Sequence, residues 1–141
     1  MTIEENVKKS TTKGKKLLII DDESDITFTI KKILENNGFK VDSFTDPISA
    51  LDNHKINFYD LVILDIKMPK MDGFQLYTKI REKDPKIKIC FLTASELYYE
   101  EFRKMHHELG KTINEDYFIQ TPIKNGDLIK HLTRIINNKN C

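Results

Sequence analysis

Four apolar residues, Leu61-Val62-Ile63-Leu64, run without polar alternation straight into a carboxylate, Asp65. A short run of this kind, half of it β-branched, suits a strand covered on both faces, as in a parallel sheet flanked by helices. Pro69 and the pair Asp72-Gly73 then mark a tight loop before the next amphipathic stretch. An ionised side chain just past a buried strand stands at the carboxyl edge of its sheet, where open α/β folds bind ligands. A single aspartate there could as well cap the strand and face water. A second acidic strand end argues otherwise.

That second end is Asp21-Asp22-Glu23, which follows the apolar run Leu17-Leu18-Ile19-Ile20. A helical pattern comes next, with Ser24 as its cap and Ile26, Ile30, Ile33 and Leu34 on one face. Gly38 sits where a helix terminator belongs. Lys40 to Phe44 reads as the second strand, and Asp46-Pro47 opens a short helix through Leu51. After the third strand, Phe74, Tyr77 and Ile80 carry a helix that Asp84-Pro85 stops. Ile87 to Leu92 is the fourth strand, ending in Thr93-Ala94-Ser95. A longer fourth helix follows, with Tyr98, Phe102, Met105 and Leu109 on one face, then a loop and a short strand at Tyr117-Phe118-Ile119. Leu128, Ile129, Leu132, Ile135 and Ile136 make the fifth helix. Strand and helix thus alternate five times, which predicts an α/β fold: a doubly wound parallel sheet with right-handed crossovers and helices on both faces. One domain over 15–138 is expected, with a polar, disordered lead-in over 1–14 and a tail over 139–141.

Composition narrows the function classes. Basic and acidic residues number 23 and 22, so no global field points to nucleic acid or membrane. No apolar stretch reaches membrane-spanning length, and no signal-peptide segment opens the chain. The two cysteines, Cys90 and Cys141, offer neither a disulfide framework nor metal-ligand spacing and fit a reducing, cytoplasmic compartment.

In a flavodoxin-like strand order of 2-1-3-4-5, strands one and three are neighbours at the topological switch point. Asp21, Asp22 and Asp65 would then share one crevice. Like charges that close repel one another and raise the pKa of at least one member unless a cation sits among them. Mg²⁺ suits such a place, since it takes one or two carboxylates together with phosphate oxygens. A site of this kind serves phosphoryl transfer, with Asp65 as the nucleophile.

At this point the sequence resembles the receiver domains of two-component response regulators. The matching stretches are Leu17 to Glu23, Leu64 to Gly73 and Phe91-Leu92-Thr93-Ala94, in family order and at family spacing. The resemblance implies that Asp65 is the phosphoacceptor, with Asp22 as a direct Mg²⁺ ligand and Asp21 as its water-mediated neighbour. It gives the backbone carbonyl of Lys67 as the third protein ligand. It also implies that Thr93 is the hydroxyl that moves toward the phosphoryl group and Phe118 the aromatic residue that turns inward with it. A histidine kinase or phosphotransfer protein is the implied donor. The implied output is contact with a downstream protein through the face from the fourth to the fifth helix, and homodimerisation is left open.

Two departures stand out. The family places a lysine before the proline that follows the fifth strand, and here Thr121 occupies that position, ahead of Pro122. A unit charge pair at about 4 Å is worth roughly 1–4 kcal/mol, depending on the local dielectric. Lys67, Lys70 or Lys124 could stand in for the family lysine, and spacing does not show which. The resemblance also implies a cis Thr121-Pro122 bond. The second departure is length: Thr93 to Phe118 is longer than in a compact receiver, which makes Tyr98, Tyr99, His106 and His107 candidates for a partner surface, the histidines more simply read as solvated. The chain's end after Asn137 leaves no span for an output domain, so a stand-alone phosphorylatable receiver is expected. Beside it stands an atypical receiver that binds partners largely without phosphorylation. A small phosphohydrolase built on Asp65 fits less well, because Lys67 occupies the place of its second aspartate.

Overall fold

The computed structural model describes residues 13–94, 100–101, 104 and 117–138. Its elements are β1 (Lys16–Ile20), α1 (Ser24–Asn36), β2 (Lys40–Phe44), α2 (Pro47–Asp52), β3 (Leu61–Asp65), α3 (Gly73–Lys83), β4 (Ile89–Thr93), β5 (Phe118–Gln120) and a C-terminal helix (Asn125–Asn137). All strand pairings are parallel, in the order β2-β1-β3-β4-β5. This is the predicted doubly wound sheet, and it places β1 beside β3 with Ile20 opposite Leu64.

The alternation of side chains across each strand divides the core in two. Leu17, Ile19, Leu61, Ile63, Cys90 and Leu92 pack under α1 and the C-terminal helix. Leu18, Ile20, Val62, Leu64, Ile89 and Phe91 pack under α2 and α3. All but Ile89 and Leu92 are entirely out of water, which is why the strands read as continuous apolar runs. No helix among the described residues is long and apolar enough to cross a membrane.

Local signals mostly act as expected. Asp46 caps α2, its carboxylate accepting from the Ser49 amide at 3.0 Å and hydroxyl at 2.9 Å. These bonds, with Lys70 nearby, hold its carboxyl below the ordinary range. Asp72 and Gln75 close a reciprocal capping box on α3. Gly38 follows α1 with φ +92°. At α1 two expectations fail. Ser24 is the first helical residue, and Glu23 at the cap makes no side-chain capping bond. The buried stripe is Thr27, Ile30 and Leu34, while Ile26 is 38% exposed. Thr27 can go inside because its hydroxyl bonds the Ser24 carbonyl at 2.9 Å. Glu100, Glu101 and Lys104 are helical, but Tyr98, Tyr99, His106 and His107 lie outside the described residues.

Candidate functional site

β1 and β3 end side by side, so Asp21, Asp22 and Asp65 meet. Each offers a carboxylate oxygen, and the three oxygens lie within 4.8 Å of one another. Asp21 is buried and the other two half-buried. The chain after β1 is fixed by Asp21 itself, whose Oδ1 accepts the Glu23 amide at 2.9 Å.

The electrostatics follow from that crowding. Burial pushes the Asp21 carboxyl up to about 6, against the lowering effect of the Glu23 amide, and the charges of Asp22 and Glu23 add to the rise. Burial likewise lifts Asp65 to about 7, helped by the charges on Asp21 and Asp22 and opposed by the Lys67 amide. Two carboxyls that resist ionising, Asp21 and Asp65, with a third carboxylate beside them are the donor set a hard divalent cation relieves. The residues present therefore fit a Mg²⁺ ion.

The loop after β3 is held by backbone approach. Gly73 N donates to the Ile66 carbonyl at 2.7 Å. A Cβ at Gly73 would come within 2.7 Å of the Ile66 Cα and strike the Asp65 carbonyl. Lys70, with φ +70°, turns the loop, and its ammonium reaches Asp46 at 3.3 Å.

Thr93, buried at the end of β4, accepts the Thr121 amide on its carbonyl at 2.9 Å. Thr121-Pro122 is cis, as the resemblance implied. Asp21, Asp65, Thr93 and Thr121 line one pocket of about 440 Å³. None of the described residues lining it is a lysine or arginine. Lys67, Lys70 and Lys124 are not among them. Lys67 instead borders a smaller cavity with Met68, Phe74 and Glu101. Phe118 sits half-buried, stacked on Phe91 with centroids 5.1 Å apart and planes 22° off parallel. Sequence reasoning missed the pocket's other wall. Ile26, Ile33, Pro122 and Ile123 line it, with Thr29 and Asn125 as polar insertions. The spacing of Ile26, Thr29 and Ile33 by three and four was the available signal.

A family model for the response regulator receiver domain matches residues 17–133. The chain belongs to the response regulator receiver family. Receiver domains are signalling modules rather than classical enzymes; they interact with histidine kinases and generally bind Mg²⁺ through an acidic pocket. This receiver is 38% identical over 96 residues to the sensor protein EvgS of Escherichia coli, which covers 67% of the chain and 8% of EvgS. It is 30% identical over 117 residues to the transcriptional regulatory protein DltR of Streptococcus agalactiae, covering 83% of the chain and 50% of DltR. It therefore spans half or less of these curated relatives. Among solved structures, the non-phosphorylated HemR receiver domain of Leptospira biflexa is 28% identical with a TM-score of 0.74, covering 90% of this chain and 98% of that one. The chemotaxis protein CheY4 of Vibrio cholerae gives 25% and 0.74, covering 86% and 98%.

Proposed function

We propose that this receiver accepts a phosphoryl group on Asp65 from the phosphohistidine of a histidine kinase or phosphotransfer protein. The reading is carried by three carboxylates held within 4.8 Å of one another, two of which, Asp21 and Asp65, line a pocket with Thr93. Asp22, Asp65 and the Lys67 carbonyl would hold Mg²⁺, with Asp21 acting through water; the ion supplies charge neutralisation. An Asp65 oxygen attacks phosphorus, the imidazole nitrogen–phosphorus bond breaks, and the imidazole leaves with the bonding pair. Thr93 then turns its hydroxyl toward the phosphoryl oxygens, and Phe118 on the adjacent strand β5 follows inward. The change passes by contact to a downstream protein through the surface of β5 and the C-terminal helix.

A second reading keeps the fold but makes phosphorylation weak, so that partners bind largely without it. The observation favouring it is the pocket's lack of a lining cation among the described residues.

Incubation with Mg²⁺ and acetyl phosphate, followed by intact mass, separates the two. We expect a gain of one phosphoryl group that disappears in Asp65→Asn and with a chelator. No gain in wild type, with a gain in Thr121→Lys, would favour the second reading.

A further inference from the structure

At the opposite edge of the sheet from the acidic pocket, the segment joining α2 to β3 keeps two apolar side chains in water. Ile56 is 56% exposed and Phe58 37%. Loose anchoring does not account for this. Asp84, buried at the end of α3, accepts from His54 Nε2 at 3.0 Å and from the Asn57 amide at 3.3 Å. Tyr59 is buried and donates its hydroxyl to Asp42 at 2.6 Å. Asp60 is tied to β1 twice, its carboxylate accepting the Lys16 amide at 2.8 Å and its own amide donating to the Lys16 carbonyl at 2.7 Å. Asn57 turns the chain with φ +59°. Ile56 and Phe58 stand between these tied residues, presented by a rigid frame.

The surroundings carry a sign. The ammonium groups of Lys16 and Lys55 each lie 4.5 Å from the centre of the Phe58 ring. Lys40 is the strand partner of Lys16 in the β1–β2 register. The surface is an apolar anchor within a basic rim, and its order is already in place, so an occupant would not have to pay for it.

We propose that this surface docks an acidic protein segment, a run of Asp and Glu residues carrying one aromatic or aliphatic side chain. That side chain would pack on Phe58 and Ile56, and the flanking carboxylates would meet Lys16, Lys40 and Lys55. Two carboxylates inside the rim favour a peptide over a uniformly anionic lipid or nucleic-acid surface. Asp42 lies 3.7 Å from the Lys55 ammonium and Asp60 is half-buried beside β1, and both would face an unbroken layer of phosphates. A peptide can place its charges around them.

The test uses the full chain, isotopically labelled, titrated by NMR with a synthetic peptide alternating Glu with Phe and Leu. Two control peptides replace Glu by Lys, or Phe and Leu by Ser. The acidic apolar peptide should move the amide signals of Lys16, Ile56 and Phe58 and neither control should. Phe58→Ser and Ile56→Ser should each weaken binding about tenfold, as for an interface anchor. Both remove an exposed side chain, and unchanged amide spectra elsewhere would show that they fold. Added salt should weaken binding, and Asp65→Asn should leave it unchanged. Equal binding by both serine variants, or signals moving at Asp21 and Thr93 instead, would overturn the proposal. So would binding to phosphatidylserine vesicles or duplex DNA without binding to the peptide, or self-association of the chain through these same residues.

Discussion

The two edges of this sheet each bury an aspartate and treat it in opposite ways. Asp84, 2% exposed, lies between two donors, His54 and the Asn57 amide. Asp21, 5% exposed, has one amide donor and two further carboxylates for company. A buried carboxylate supplied with donors locks local structure. One surrounded by like charge holds free energy that binding can release. The difference separates a region built to stay still from a region built to change.

The largest effect should come from breaking the edge where the carboxylate has its donors. Asp84→Ala leaves the buried His54 ring nitrogen without an acceptor and removes the partner of the Asn57 amide, at a cost of about 2–4 kcal/mol. Urea unfolding checks this; a loss under about 0.5 kcal/mol, the scatter of ordinary surface changes, would mean the loop is held by packing alone. The strained edge should answer with the other sign. Asp21 and Asp65 titrate at about 6 and about 7 when folded, against an ordinary 3.8. Because the folded state holds these protons more tightly, metal-free stability should fall as pH rises from about 4 to about 7 and stay low above it. Asp65→Asn should flatten that fall and gain roughly 1–3 kcal/mol at pH 8 in chelator, a gain that saturating Mg²⁺ erases in the comparison with wild type. A parallel pH profile in wild type and variant would contradict the crowding argument.

The smallest effect sharpens the contrast. Thr121→Lys brings a cation into the pocket and should add about 0.2–1 kcal/mol in chelator at pH 8, with little change at pH 5, where the acids hold protons. Following the environment of Phe118 with beryllofluoride, the same variant should show a larger response than wild type. A response no larger would mean that the missing ammonium is not what limits the switch.

The strained edge was legible in the sequence and the quiet one was not. Runs such as Leu61 to Leu64 announce buried strands, and a carboxylate after such a run declares its place at the sheet edge without any knowledge of packing. Strand order then brings Asp21, Asp22 and Asp65 together. The pairing of His54 with Asp84 crosses 30 positions and has no periodicity to betray it. Thr27 for Ile26 in the α1 stripe failed to show for a related reason: a threonine that satisfies its own hydroxyl on the preceding turn can go inside, and hydrophobicity alone ranks it outside. The vacancy left by lysine at Thr121 was visible, but which cations stay away from the pocket depended on the reach of Lys70 toward Asp46, a contact between two loops.

The close approach of Gly73 to the end of β3 has a consequence for how such a site can diversify. Residues 67–72 form a hoop whose two ends are clasped by main-chain atoms, through the Gly73 amide and the Ile66 carbonyl. The exposed side chains of Lys67 and Lys70 can therefore be exchanged with Asp65 left where it stands, provided the hoop keeps its length. A single extra carbon at position 73 would do what no substitution at Lys67 or Lys70 does, because it would displace the strand that carries the nucleophile. Chemical variety is thus free at the hoop's exposed positions and forbidden at its hinge.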